Sequence, residues 1–162
     1  EMLKRRPDLV DELTRPLTYS CHDEQGPHQG PWFESRVFTY IDGRLSVTGG
    51  FKHIEKGHKF ADRTPLTEKQ LEACAMFEAT CEELHFGAVF EPGDMPVLNS
   101  HVTQHGRTAF EDWPEPERRR HYWRMWLRSD GFHPRADFFE HWKDGIWVPE
   151  GGRTLTLEAW PA

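Results

Sequence analysis

Residues 98–110 read Leu98-Asn99-Ser100-His101-Val102-Thr103-Gln104-His105-Gly106-Arg107-Thr108-Ala109-Phe110, and residues 120–127 read Arg120-His121-Tyr122-Trp123-Arg124-Met125-Trp126-Leu127. Both runs have the alternation of a strand, because successive side chains of extended backbone point to opposite faces. Prolines interrupt regular structure between them. The two runs therefore predict two strands that carry His105 on one and Arg120 and Arg124 on the other.

His105 is a candidate ligand for a divalent metal ion, because a neutral imidazole has a free lone pair on one ring nitrogen. The competing interpretation is a histidine that only makes a hydrogen bond in the core or in a loop, which is the more common case. His101 lies four residues earlier, but on a strand this spacing is too long for two rings to chelate one ion easily. A zinc pair would need a helix, and Pro96 and the turn at Gly106 argue against one.

Arg120 and Arg124 share one face of the predicted strand, about 13 Å apart along it. A solvated strand face is the simpler interpretation of two such arginines. However, Trp126 lies on the same face and apolar residues alternate on the other, which indicates that both faces are at least half buried. A buried guanidinium group needs an anion, and its fork matches a carboxylate. An acidic small molecule is therefore the expected partner.

Three other segments have clear local signals. Residues 1–15 have a helical pattern that ends at Arg15-Pro16. Asp42-Gly43, between strand-like residues 35–41 and 44–48, predicts a β-hairpin. Thr67 and Gln70 have the spacing of a capping box and predict the start of a helix that ends near residues 85–87. This helix would bury one face, formed by Leu71, Cys74, Phe77, Cys81 and Leu84.

The composition fits one domain. The 162 residues carry a net charge of -7, with 36% hydrophobic and 29% charged residues, which argues against a general nucleic-acid surface. No apolar run approaches the ~20 residues that span a bilayer. The N-terminus lacks the apolar core of a secretory signal, so a cytoplasmic location without membrane partners is expected. The three cysteines, without a CxxC pair, are expected to be thiols, and a homo-oligomer is compatible with the sequence.

The motifs from residue 91 to 127 resemble the taurine dioxygenase/clavaminate synthase-like family of Fe(II)- and 2-oxoglutarate-dependent dioxygenases. The resemblance rests on the Gly93-Asp94 turn, Asn99, the block at 105–112 and the Arg120-x-x-x-Arg124 pair. Upstream segments are also similar, so it covers most of the chain. It implies a fold that is mainly β with flanking helices (α+β), a double-stranded β-helix or jelly roll. Residues 1–162 would form a single domain that is the C-terminal portion of this fold.

By this resemblance, His105 is the distal histidine of a two-His-one-carboxylate triad for Fe(II). Arg120 would bind the remote carboxylate of the co-substrate 2-oxoglutarate, and Arg124 would contact the small-molecule substrate. The implied reaction converts 2-oxoglutarate to succinate and CO₂ while a C–H bond of the substrate is hydroxylated or otherwise oxidised. We assign no catalytic residue beyond the metal ligand. The family's other two ligands come from a His-x-Asp/Glu motif, which we expect outside this chain.

Two alternatives stay open. One is a non-catalytic jelly-roll module that holds an acidic metabolite through Arg120 and Arg124, including a truncated relative without the His-x-Asp half of the iron site. The other is a structural or zinc-binding domain in which His101 and His105 are ligands. The residues do not indicate which substrate a dioxygenase of this kind would oxidise.

Overall fold

The computed structural model describes residues 1–127 and 131–147, and these combine helices with short strands. The helices are α1 (Met2–Arg5), α2 (Pro7–Leu13), α3 (Phe51–Gly57), α4 (Glu68–Leu84) and α5 (Asp137–His141), with a 3-10 helix at Pro116–Arg118. The strands are β1 (Leu17–Ser20), β2 (Trp32–Ser35), β3 (Phe38–Ile41) and β4 (Arg44–Val47). The predicted combination of strands and flanking helices is present, although the described part contains more helix than strand. None of the helices described is both long and apolar enough to cross a bilayer.

The strands form two antiparallel hairpins, β1 with β2 and β3 with β4. In the second hairpin, Ile41 pairs with Arg44 across a two-residue turn. The turn residues Asp42 and Gly43 have φ values of 50° and 76°. Positive φ at both positions is what a type I′ turn requires, and its twist matches that of the flanking strands. The hairpin predicted at Asp42-Gly43 is confirmed.

The N-terminal helical segment is broken at Arg6, whereas the sequence predicted one helix over residues 1–15. Arg6 has φ -144° and ψ 75°, which is not helical, and Pro7 occupies the start of α2. A proline disfavours helical backbone in the residue before it and has no N–H to donate. The helix therefore ends and starts again at Pro7.

Helix α4 begins with the predicted capping box. The Gln70 backbone N donates to Thr67 Oγ1 at 3.2 Å, and the Thr67 backbone N donates to Gln70 Oε1 at 2.9 Å. These bonds satisfy two donors that the first turn of a helix would otherwise leave without partners.

The buried face of α4 is shorter than predicted. Cys74 and Phe77 are buried and Cys81 packs against the core from a half-buried position. Leu71 and Leu84 are 51% and 59% exposed, so the prediction is wrong for these two. Helix α2, which packs against α4, has seven residues, whereas α4 has seventeen. At 1.5 Å per residue it cannot cover the first and last turns of α4.

The core lies between α2, α3, the buried face of α4 and the β1–β2 hairpin. Helix α3 approaches β1 so closely that a Cβ on Gly57 would lie 2.2 Å from the Thr18 carbonyl oxygen. The Tyr19 hydroxyl donates to the Thr48 carbonyl at 2.9 Å, which satisfies a buried polar group. The largest fully buried apolar side chains are Tyr19, Leu9, Leu13, Leu17, Ile54 and Val37.

Residues 86–127 form no strand, and this overturns part of the sequence prediction for the described residues. They have no regular secondary structure apart from turns and one 3-10 helix. Large apolar side chains such as Val89 (94%) and Trp123 (65%) are exposed. An alternating pattern becomes a strand only when a neighbouring strand provides backbone partners and another layer covers the apolar face. β1 to β4 pair with each other instead. The two predicted strands, the one that carries His105 within residues 98–110 and the one at 120–127, are both absent.

Candidate functional site

Asn99 introduces a tight turn just before His105. Its side-chain oxygen accepts a hydrogen bond from the His101 backbone N at 3.1 Å. Its carbonyl oxygen accepts from Val102 N at 3.1 Å and from Thr103 N at 3.0 Å. Asparagine favours such local bonds over strand pairing. The backbone therefore bends where the sequence predicted a strand.

The segment after this turn is attached to β4 and to the residues that follow β4. Val47 N donates to the His101 carbonyl at 2.7 Å. The Gln104 side chain makes two further bonds: Nε2 donates to the Val47 carbonyl and Oε1 accepts from Gly49 N, both at 2.9 Å. The chain is therefore held in place up to Gln104, one residue before His105.

His105 is exposed, so its imidazole is accessible as a ligand. Across residues 1–127 and 131–147, no group of three or more His, Cys, Asp or Glu side chains could hold a metal ion. The chemistry of His105 fits one ligand of an iron ion, whereas the residues described do not form a complete metal site.

Arg120 lies against aromatic rings. Its guanidinium carbon is 4.1 Å from the centroid of the Tyr122 ring and 5.3 Å from that of Phe110. The Arg107 guanidinium carbon is 4.4 Å from the same Phe110 ring. We call Arg107, Phe110, Arg120 and Tyr122 the arginine–aromatic cluster. It brings Arg120 beside residues that follow His105 closely in the chain.

The arginine–aromatic cluster is suited to bind an anion. All four of its members are exposed, and a hollow of about 230 Å³ is lined by residues 107–110. A guanidinium group that stacks on an aromatic ring contacts the ring with its flat face. The N–H groups lie in the plane of the guanidinium group and remain directed outwards. These edges can bind a carboxylate through two hydrogen bonds. Arg124, the predicted substrate residue, is exposed on the same segment.

His101 is a packed histidine. Its Nδ1 lies 3.0 Å from Ser46 Oγ. Its ring lies against those of His133 and Phe139, with centroids 4.1 Å and 4.0 Å away. Burial, and after it the charge of His133, lowers the pKa of His101 below its ordinary value. The ring of His101 is thus committed to packing, which weakens the zinc alternative that needs it as a ligand.

A larger hollow of about 760 Å³ lies beside His101, and the sequence did not predict it. Its wall includes Arg44, His133 and Lys143. The Arg44 side chain already donates to the Phe132 carbonyl, and Lys143 Nζ donates to Glu140 Oε1 at 2.7 Å. Both cations therefore already have partners within the protein.

Sequence reasoning missed two pairs with the spacing His-x-Glu, His22 with Glu24 and His53 with Glu55. A search for an acid two residues after each histidine would have found both. The ring centroids of His22 and His53 lie 3.8 Å apart with the planes tilted by 30°, and Lys59 Nζ donates to Glu55 Oε1 at 2.7 Å. They do not join His105 in a metal-binding group among the residues described. We therefore do not assign them as the missing half of the triad.

The cysteines are free thiols, as predicted. Cys21 Sγ lies 3.6 Å from His141 Nε2. Burial raises the pKa of the Cys21 thiol to about 11, so the thiol is protonated at neutral pH. A protonated thiol is a poor nucleophile, and the contact with His141 is a weak hydrogen bond of the sulfur.

Two comparisons with known proteins bear on this site. The family described as "Taurine catabolism dioxygenase TauD, TfdA family" matches residues 1–126. A relative named FR-33289 synthase, from Streptomyces rubellomurinus, is 27% identical over 135 residues, which are 80% of this chain and 39% of that protein. The chain thus spans about two fifths of the length of this relative. Since the family match covers more than half of the chain and includes His105, Arg120 and Arg124, the chain belongs to the TauD/TfdA family.

Proposed function

We propose that the chain carries the 2-oxoglutarate-binding part of an Fe(II)-dependent dioxygenase that oxidises a C–H bond of a small organic molecule. The observation that carries the proposal is the family match over residues 1–126, a range that includes His105, Arg120 and Arg124. The relative with 27% identity is named as a synthase, which agrees with an enzymatic role.

In this proposal His105 is one iron ligand. Fe(II) and 2-oxoglutarate, when bound, would allow O₂ to oxidise the C–H bond of the substrate, and 2-oxoglutarate would be converted to succinate and CO₂. The described residues contain no group of three His, Cys, Asp or Glu side chains that could hold a metal ion. The other two iron ligands would therefore come from elsewhere in the dioxygenase. A His-x-Asp/Glu pair is the expected form of that contribution.

The arginine–aromatic cluster would bind the remote carboxylate of 2-oxoglutarate through Arg120. The Tyr122 and Phe110 rings restrict the guanidinium group, so that less side-chain entropy is lost when the carboxylate binds. Arg107 adds a second positive charge next to the same ring. Arg124 would contact an anionic group of the substrate.

We also propose that residues 86–127 become strands of a jelly roll when other strands of the dioxygenase cover them. Their alternating apolar side chains support this, since so many exposed apolar groups are a signature of a surface that is normally covered. The exposed Trp123 and the predicted face that carries Arg120 would then lie on opposite sides of one strand.

A thermal-shift panel tests the function. In a protein that combines this chain with residues that provide the other two iron ligands, 2-oxoglutarate at 100 times its dissociation constant should add about 2.7 kcal/mol of stability, and only with Fe(II) or Mn(II) present. Arg120→Ala should abolish this shift. Arg118→Ala is the matched control, because Arg118 is an exposed arginine of the same segment whose guanidinium carbon lies 3.3 Å from the Trp113 ring centroid. If Arg120→Ala leaves the shift unchanged, Arg120 does not bind the co-substrate.

The second candidate is a module that binds an acidic metabolite without redox chemistry. It is favoured by the proximity of Arg107 and Arg120 to one ring, which needs no metal ion. In the same panel, stabilisation by 2-oxoglutarate without a metal ion would support this candidate. Stabilisation by Zn(II) alone would instead support the zinc-binding domain.

A further inference from the structure

We propose that helix α3 is a pH-controlled cover of the free edge of β1, released at its C-terminal end when His58 takes up a proton. Among the residues described, β1 pairs with β2 on one side only. A strand edge without a neighbouring strand presents unpaired N–H and C=O groups. Helix α3 packs against β1, and its histidines bind these groups.

Thr18 and Ser20 turn their backbone polar groups towards the free edge of β1. On the other side, Cys21 N donates to the Pro31 carbonyl, just before β2, at 2.9 Å. The backbone groups of successive residues in a strand point to alternate sides. Tyr19 therefore faces β2 as Cys21 does, and the groups left for another partner are those of the two residues that alternate with them.

His53 and His58 take the place of a neighbouring strand on this edge. Thr18 N donates to His58 Nε2 at 3.0 Å, and His53 Nδ1 lies 3.1 Å from the Ser20 carbonyl oxygen. Gly57 permits the close approach, because a Cβ on it would collide with the Thr18 carbonyl. Two side chains thus satisfy backbone groups that would otherwise bind water or another strand.

The partners of His58 define its neutral tautomer. The Thr64 carbonyl can only accept, so His58 Nδ1, 2.6 Å away, carries the hydrogen. The Thr18 N–H can only donate, so His58 Nε2 must offer its lone pair. Protonation places a hydrogen on Nε2 opposite the Thr18 N–H, so the bond to β1 is lost while the bond to Thr64 remains. These contacts lie within residues 17–64 and do not depend on the conformation of residues 86–127.

His53 responds differently to acid. The Ser20 carbonyl accepts from its Nδ1–H, and a protonated ring keeps that hydrogen. The bond from His53 therefore survives in both states of the ring. His53 lies in the first turn of α3, whereas His58 directly follows the last residue of the helix. Acid should thus release the C-terminal end of α3 and leave its N-terminal end attached.

The charged side chains close to His58 in the chain form ion pairs with each other or with β2. These pairs are Lys59 with Glu55 at 2.7 Å, and Arg63 with Glu34 at 3.5 Å and with Asp62 at 3.7 Å. On β1, Tyr19 is directed into the core, where its hydroxyl donates to the Thr48 carbonyl. The Thr18 N–H is therefore the group on which protonation of His58 acts most directly.

The ring of His22 faces His53, with the two centroids 3.8 Å apart. Burial is the largest cause that lowers the pKa of His22, followed by the charges of His53 and Lys56, while Glu24 and Asp23 act in the opposite direction. A neutral His22 places no charge against the His53 ring. The bond that holds the N-terminal end of α3 is thus kept where His58 has already been protonated.

Amide hydrogen exchange, measured by NMR in the full chain, tests the cover. His58→Phe keeps an aromatic ring without an acceptor, so at about pH 7.5 the protection of the Thr18 amide should fall about tenfold. The Cys21 amide, bound to Pro31, is the internal reference and should keep its protection. His28→Phe, at an exposed position, is the matched control and should change neither amide. Unchanged protection of Thr18 in His58→Phe would overturn the proposal.

The pH dependence identifies the group that controls the cover. Each exchange rate is divided by the intrinsic rate of the same amide at the same pH. In the parent chain, the protection of Thr18 relative to Cys21 should fall about tenfold between about pH 7.5 and about pH 5, where histidines change charge. His58→Gln offers an amide oxygen near the position of Nε2, so it should preserve this ratio at neutral pH and remove its pH dependence. An unaltered pH dependence in His58→Gln would assign the release to another group, against the proposal.

Two amides of α3 report which end of the helix is released. His58 N donates to the Ile54 carbonyl at 3.0 Å at the C-terminal end, and Ile54 N donates to the Gly50 carbonyl at 3.1 Å at the N-terminal end. In acid, the protection of the His58 amide should fall together with that of Thr18, while the Ile54 amide should keep its protection. Equal losses at both ends, or a loss at Ile54 alone, would contradict a release that starts at the C-terminal end.

Discussion

At the scale of single residues, three partly buried histidines favour the neutral form of their rings. In His22, His101 and His141, burial is the largest cause of a lowered pKa. The His141 ring also lies flat on Phe33, with centroids 3.8 Å apart and planes 8° apart. Protonation would place a charge where water is partly excluded. These histidines therefore couple the stability of the fold to pH.

The free energy of unfolding should fall as the pH drops below the ordinary histidine value of 6.5. Between the lowered folded pKa and 6.5, the unfolded chain binds more protons than the folded chain, so stability rises with pH across this window. Urea unfolding at several pH values from about 5 to 7.5 measures this slope. His141→Phe keeps the aromatic stack and should reduce the slope. His28→Gln, at an exposed position, should not; equal slopes in all three proteins would contradict the prediction.

The β3–β4 hairpin gives a sharp test at the scale of one element. Gly43 has φ 76° and nothing within 4 Å of a Cβ placed on it, so an alanine there would meet backbone strain but no collision. Gly43→Ala should destabilise the fold by about 1 kcal/mol. Gly87→Ala is the matched control, because Gly87 also has open space but its φ is not positive. Equal urea midpoints for the two variants would show that the turn is not strained by a side chain.

Local elements were predictable from sequence, and elements that depend on distant partners were not. The turn at Asp42-Gly43 and the capping box at Thr67 are encoded within four residues. The strand expected at 101–105 depended on a neighbour that the described residues do not provide. The contact of Gln104 with Gly49 spans 55 positions in the chain, so no local pattern could reveal it. His105 and Arg120 were singled out by their residue types and by their resemblance to a family motif, but the aromatic rings close to Arg120 were not predicted.

At the scale of the whole molecule, a packed core contrasts with an uncovered segment. Residues from α1 to α4 form the core, and Phe138 and Trp142 pack against it. Residues 86–127 carry many of the exposed large apolar side chains. A surface of this kind is expected to associate with another apolar surface. In the chain alone, a second copy is the partner always available.

The full chain should therefore self-associate through residues 86–127, as sedimentation velocity over a range of concentrations would show. Trp123→Ser should weaken this association, because Trp123 is exposed, as are Met125 and Trp126, which follow it closely in the chain. Leu3→Ser is the matched control: Leu3 is also 65% exposed, but it lies on the charged helix α1, next to Lys4. A chain that stays monomeric at every concentration, or an equal effect of both substitutions, would contradict the prediction. Weakening by Trp123→Ser alone would place the self-association surface in this segment.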